Sequence, residues 1–161
     1  MKEFEGKVAV IVGAGNGFGL EFAKECAVRK MKIVLVDIDK NDVEYALSLV
    51  KEMGADAISV VIDASVEEEV ASMVNKTMET YGQIDLLFNT AGVAIPGPVW
   101  EVPTRDWEWI VGINVMSQVY AMKLIIPIML KQGTPCHIVN TASIAGLLTS
   151  RGLPLYHTTK F

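Results

Sequence analysis

Three groups of residues in this sequence have the types and spacing to do chemistry. The first is the run Gly13-Ala14-Gly15-Asn16-Gly17-Phe18-Gly19. Glycines at alternate positions let the chain turn tightly and bring backbone N–H groups up to an anion that a Cβ would hold away. The second is Asp37, eighteen residues after Gly19. A carboxylate there can accept from both hydroxyls of a ribose and opposes a 2′-phosphate. The third is Tyr156 with Lys160, at i and i+4, so that one helix face presents both. A phenol with its ordinary pKa of about 10 is a poor base at neutral pH, and a neighbouring ammonium favours the phenolate. Such a pair is suited to moving a proton. Each group also has a plainer reading: a tight turn without a ligand, a solvated strand-end acid, an exposed amphipathic turn.

The elements around these residues decide between the readings. Val8 to Val12 is an unbroken, mostly β-branched apolar run, the pattern of a strand buried on both faces of a parallel sheet. The glycine run follows at once. A helix then spans Leu20 to Arg29, with Leu20, Ala23, Ala27 and Val28 on one side. Strand, glycine turn and helix place a helix N-terminus against a phosphate. The spacing is G-x-x-x-G-x-G at Gly13, Gly17 and Gly19, not the literal G-x-G-x-x-G, because Phe18 stands where the third glycine would fall.

Further strands are expected at residues 32–37, 57–62, 84–88 and 137–141. Asn41 or Asp42 is read as the cap of a helix ending near Met53. Ser65 with Glu68 is read as a capping box for a helix to about Thr80. Thr104 is read as the cap of a long helix to about Lys131, with Gly112 as an irregularity and Pro127 as a kink. The last twenty residues read as loop before Tyr156. Strand and helix alternate strictly, which implies an α/β fold: one doubly wound parallel sheet over residues 1–161, with ligands outside the carboxyl ends of the strands.

Bulk properties exclude several classes. The formal net charge is −5, which argues against a nucleic-acid surface. Cys26 and Cys136 give no disulfide framework and read as small residues of a reduced, cytoplasmic protein. No h-region follows Met1, and no metal-ligand set is read. The apolar stretch 115–130 is broken by Ser117, Gln118 and Lys123, and reads as a buried helix and not a membrane span.

Taken together, the sequence resembles the short-chain dehydrogenase/reductase family, whose domain is an NAD(P)-binding Rossmann fold. The resemblance rests on Gly13, Gly17 and Gly19, Asp63, Asn89-Thr90-Ala91-Gly92, Asn114, Ser143 thirteen residues before Tyr156, and Tyr156-x-x-x-Lys160, all in the family's order. It departs at Val12, where the family usually has Thr, and at Thr90, which replaces a second Asn. It covers about the first two thirds of a family domain. A long helix, two strands and a substrate loop would follow Phe161.

The resemblance implies an oxidoreductase that transfers hydride between NAD(H) and a secondary alcohol or ketone. Tyr156 would be the acid/base. Lys160 would assist it and hold the nicotinamide ribose. Ser143 would hydrogen-bond the substrate oxygen, and Asn114 would hold a water in a relay to Lys160. The cofactor would meet Gly13, Asn16, Gly17, Phe18 and Gly19, then Asp37, Asp63 and Ala64, then Asn89, Ala91 and Gly92, with Tyr156 and Lys160 beside it. Asn16 and Ile38 occupy the places where a phosphate-binding Arg would stand, so NAD is expected over NADP. The expected partners are a small alcohol or carbonyl substrate and, in the complete protein, further copies of the same chain. The alternative is an inactive dinucleotide-binding fragment, whose Tyr156–Phe161 end makes few helical hydrogen bonds and frays. Trp100, Trp107 and Trp109 read as packing or a substrate entry. His137 reads as structural. His157 would approach the active site only within a helix continuing past Phe161.

Overall fold

The structure, a computed structural model, describes residues 3–161. In chain order the elements are β1 (Val8–Val12), α1 (Gly17–Val28), β2 (Lys32–Asp37), α2 (Lys40–Glu52), β3 (Ala57–Val61), α3 (Glu67–Tyr81), β4 (Leu86–Asn89), α4 (Thr104–Val111), a π-helical turn (Gly112–Met116), α5 (Ser117–Gln132), β5 (His137–Asn140), a 3₁₀ turn (Ile144–Gly146) and α6 (Pro154–Lys160). The five strands form one parallel sheet in the order β3-β2-β1-β4-β5.

β1 is central because all five of its residues are apolar and buried. Its side chains alternate between two cores. Val8, Val10 and Val12 pack with Val70, Met73 and Val74 of α3 and with Ala121, Ile125 and Met129 of α5. Ala9 and Ile11 face the other way, onto Ala23, Cys26 and Ala27 of α1 and Val43, Ala46 and Val50 of α2. Each large aliphatic residue buried this way contributes about 1.5–3 kcal/mol. Asp85 clamps the amino end of the sheet. Its buried carboxylate accepts from Lys7 Nζ at 3.0 Å, the Val8 N–H at 2.9 Å and Gln83 Nε2 at 2.9 Å.

Several local expectations are corrected. The cap of α2 is Asp39, whose side chain accepts from the N–H groups of Asn41 and Asp42. The Ser65–Glu68 capping box does not form. Asp63 Oδ1 accepts from the Ser65 N–H and hydroxyl instead, and Glu69, not Glu68, accepts the Asp63 N–H. Thr104 begins α4 but does not cap it; Pro103 precedes it in the N-cap position. Val28 points to solvent, away from the buried face of α1. β3 is buried only in part because it is an edge strand. Gly112 does mark an irregularity: five residues there wind as a π-helix before α5 resumes.

With α4 and the π turn included, the continuous helix Thr104–Gln132 is longer than the 115–130 stretch suggested. Among the described residues it is the one helix long and apolar enough to cross a membrane, by length and a hydropathy of 1.5. Here it lies on the sheet, buries Ser117, Ala121, Ile125 and Met129, and pairs Lys123 with Glu67 of α3 at 2.6 Å.

Candidate functional site

A cleft of about 340 Å³ opens at the carboxyl ends of the strands. It forms there because β1 and β4 end in turns that diverge to opposite faces of the sheet, leaving a crevice between them. Its lining includes Gly13, Asn16, Gly17, Phe18 and Gly19 from the turn after β1, and Asp37 and Ile38 from the end of β2. Asp63, Ala64 and Ser65 follow β3, and Ala91, Gly92 and Val93 follow β4.

The glycine turn is anchored on both sides. Gly13 and Ala14 N–H groups donate to the Val36 carbonyl at 2.8 and 2.9 Å, and Thr90 and Ala91 N–H groups donate to the Val12 carbonyl. The Thr90 hydroxyl lies 2.7 Å from the Val12 carbonyl and 3.0 Å from that of Gly13. Thr90 thus ties the turn to β4 in place of an asparagine. Gly13 has φ +84°, and a Cβ on it would meet the Ala91 backbone at 2.6 Å. Gly17, at φ +52°, is different: a Cβ there would meet nothing within 4 Å. The space beside Gly17 is open because the turn bends away from it.

The N-terminus of α1 is left available. Asn16 occupies the cap position but its side chain makes no capping bond, and Nδ2 reaches Asp42 Oδ2 at 3.2 Å. No acidic residue stands in the first turn of α1. The first N–H groups of a helix lack intrahelical partners and carry the positive end of its dipole. An open glycine cradle below such a terminus fits a pyrophosphate.

Asp37 ends β2 with its carboxylate at the cleft. Oδ2 accepts the Gly15 N–H at 2.8 Å and Oδ1 the Asp39 N–H at 3.1 Å. A carboxylate has about four acceptor positions, so these two bonds hold Asp37 in place while leaving capacity for hydroxyl donors. Among the described residues, no Lys or Arg lines the cleft. Phe18 is largely exposed at the rim, 6.5 Å from Phe22 by ring centroids; Phe22 in turn stacks on Phe88 at 4.7 Å. Asn89 does not line the cleft. It is buried between strands, its Nδ2 donating to Asn140 Oδ1 at 2.7 Å and its own Oδ1 without a partner among the described residues.

The proton-transfer candidates gather on a neighbouring scaffold. Asn114 sits in the π turn, 2% exposed. Its Oδ1 accepts the Val93 N–H at 2.8 Å, and its Nδ2 donates to the Val93 carbonyl at 2.9 Å and to Thr159 Oγ1 at 3.0 Å. Val93 lines the cleft and Thr159 lies between Tyr156 and Lys160, so Asn114 joins the cleft wall to α6. Tyr156 and Lys160 do come together, with Lys160 Nζ 5.6 Å from the Tyr156 ring centroid and donating a hydrogen bond to the Thr141 carbonyl at 3.0 Å. The structure draws this last helix as ordered, and the expected fraying is a matter of stability that hydrogen exchange at residues 156–161 would measure. α6 starts at Pro154, two residues before Tyr156, and tertiary bonds from Lys160 and Asn114 supplement its few helical ones. Ser143 caps the 3₁₀ turn, its Oγ accepting the Ala145 N–H at 3.1 Å.

Sequence reasoning missed Val93, Ile113 and Thr159, and left Trp109 open between packing and a substrate entry. Thr159 gave no signal beyond lying between Tyr156 and Lys160. Trp109, with Ile113, lines the cleft, whereas Trp100 is exposed and Trp107 is half-buried.

The profile of the short chain dehydrogenase family matches residues 7–161. The chain is 50% identical over its whole length to the CLA biosynthesis dehydrogenase/reductase of Lactiplantibacillus plantarum, spanning 56% of that protein. It is 39% identical over 158 residues to the meso-2,3-butanediol dehydrogenase of Serratia marcescens, spanning 61% of it. Among solved structures it superposes on a short chain dehydrogenase/reductase from Burkholderia phymatum in complex with NAD, with TM-score 0.97 and 42% identity, over 99% of this chain and 57% of that one. It also superposes on an NAD⁺-bound xylitol dehydrogenase, with TM-score 0.93 and 36% identity, over 99% of this chain and 61% of the other. The chain thus spans somewhat more than half the length of these relatives. With the match running through the glycine turn, the five-stranded sheet and the Tyr156–Lys160 helix, the chain belongs to the short-chain dehydrogenase/reductase family of NAD(P)-binding oxidoreductases.

Proposed function

We propose that this chain carries the cofactor site and the proton-transfer residues of an NAD-dependent dehydrogenase that interconverts a secondary alcohol and its ketone. The observation that carries the reading is the continuity of the site. The open cradle at Gly17, the Asp37 carboxylate and the Tyr156–Lys160 helix are linked through Val93, Asn114 and Thr159.

NAD, when bound, supplies the hydride acceptor. Gly13, Asn16, Gly17, Phe18 and Gly19 would hold its pyrophosphate at the start of α1, and Asp37 its adenosine ribose. Asp63 and Ala64 line the part of the cleft suited to the adenine, and Ala91 and Gly92 the part below it. Asp37, with no Lys or Arg among the described residues lining the cleft, favours NAD over NADP. Asn89 would act from behind, by holding β4 to β5. Tyr156 takes the hydroxyl proton as the alcohol is oxidised and returns it in the reverse direction. Lys160 sets its charge environment, Ser143 orients the substrate oxygen, and Asn114 fixes the helix in register with the cleft.

The names of two relatives include meso-2,3-butanediol and xylitol, both of which carry secondary hydroxyls, and this supports the substrate class. The test is reduction of NAD⁺ by the full-length protein, followed at 340 nm, over a panel of secondary and primary alcohols. Turnover confined to secondary alcohols is expected, and turnover of primary alcohols alone contradicts the reading.

A further inference from the structure

His157 follows Tyr156 directly and is buried, 8% exposed. Its Nδ1 lies 2.9 Å from the Ala145 carbonyl, and its Nε2 lies 2.9 Å from the Ser150 backbone nitrogen and 3.0 Å from Ser150 Oγ. The partners fix the ring. A carbonyl only accepts, so Nδ1 carries the proton; a backbone N–H only donates, so Nε2 presents its lone pair. Of the forms of imidazole, only the neutral ring protonated at Nδ1 satisfies all three partners.

Ala145 is held from both sides. Its N–H donates to Ser143 Oγ, and its carbonyl accepts the hydrogen bond from His157 Nδ1–H. Gly146 beside it lies so close to the Lys160 carbonyl that a Cβ would overlap it. The side chain next to Tyr156 is therefore bonded to the residue that orients the Ser143 hydroxyl. The Ser150 bond fastens the far end of the same loop.

We infer that His157 is a positioning residue: through the Ala145 carbonyl and the Ser150 N–H, it fixes the Ser143 turn against the Tyr156 helix. It touches no reacting atom. The inference rests on the proposed roles of Ser143 and Tyr156 only for its meaning in catalysis. The clamp itself is tested without turnover.

Two measurements on the full-length protein test it. Long-range ¹H–¹⁵N correlations of histidine-labelled protein are expected to show His157 protonated at Nδ1 and bare at Nε2; an Nε2–H tautomer overturns the inference. Hydrogen exchange at the Ser150 amide reports the clamp directly. His157→Phe fills the same space without either nitrogen and is expected to speed that exchange at least tenfold. His157→Gln places an acceptor near the Nε2 position and is expected to restore protection to within threefold, whereas His157→Asn, which keeps only a donor near Nδ1, is not. If Phe protects Ser150 as well as His does, the ring is a filler and the inference fails. If the Phe variant does not fold, the tautomer in the unmodified protein decides. Loss of the alcohol–ketone reading through an active Tyr156→Phe protein would leave these outcomes unchanged, so the two claims fail separately.

Discussion

Two glycines four residues apart, Gly13 and Gly17, separate folding from cofactor binding by substitution with alanine. Both have positive φ, which costs an alanine about 1–2 kcal/mol in the left-handed region. At Gly17 that is the whole folding cost, because the new methyl meets nothing within 4 Å. At Gly13 the methyl would also stand 2.6 Å from the Ala91 nitrogen and 2.8 Å from its Cα. These are backbone atoms at the end of β4, which cannot swing aside as a side chain does, so overpacking adds about 1–3 kcal/mol. The total for Gly13→Ala is about 2–5 kcal/mol, against about 1–2 for Gly17→Ala. Binding reverses the order of interest. The methyl at Gly17 occupies the cradle proposed for the pyrophosphate and removes one or two charge-assisted hydrogen bonds of about 1.5–3 kcal/mol each. NAD affinity should fall by roughly 10- to 10⁴-fold. The assay is a urea melt of each variant with calorimetric titration of NAD, on the full-length protein. Gly17→Ala binding NAD within threefold of the unmodified protein would refute the cradle, and equal stability of the two variants would refute the packing argument.

Other outcomes follow from single features. Asp37→Ala should narrow the preference for NAD over NADP, since it removes the charge that opposes a 2′-phosphate; equal affinities in the unmodified protein, by calorimetry, contradict the assignment. Burial pushes the Cys26 thiol from 9.0 up to about 12, with Glu25 adding to the rise and Arg29 opposing it. Between those values the unfolded chain has lost a proton that the folded chain keeps, so stability falls as pH rises, by up to about 1.4 kcal/mol per pH unit. Cys26→Ala should flatten that alkaline slope in urea melts from pH 9 to 11, and an unchanged slope contradicts it. The full-length protein is expected to self-associate through α5, where Val119, Ile126 and Leu130 are exposed; a monomer by light scattering at micromolar concentration counts against this.

The fold was legible because its strands are continuous apolar runs. β1 and β2 could be placed within a residue from Val8–Val12 and Lys32–Asp37 alone, and alternation with helices carried the parallel sheet. The cleft residues were legible because glycines and strand-end acids have few other reasons to sit where they do. Caps were not. Asp39, Asn41 and Asp42 are all competent, and only the backbone path selects Asp39. Val28 read as buried because α1 is apolar on more than one side. His157 was opaque for a physical reason: its partners are the Ala145 carbonyl and the Ser150 N–H, backbone groups that any sequence offers. Thr159 was opaque because it acts through Asn114, forty-five residues away.

The most direct test of the proposed chemistry is the rate of hydride transfer in a single turnover by Tyr156→Phe in the full-length protein, measured beside its NAD affinity. The substitution removes one hydroxyl and leaves the ring against Lys160 and the cleft untouched. The transfer rate is expected to fall at least ~10²-fold while NAD binding stays within about threefold. A variant that binds NAD and transfers hydride at the unmodified rate would show that another group moves the proton.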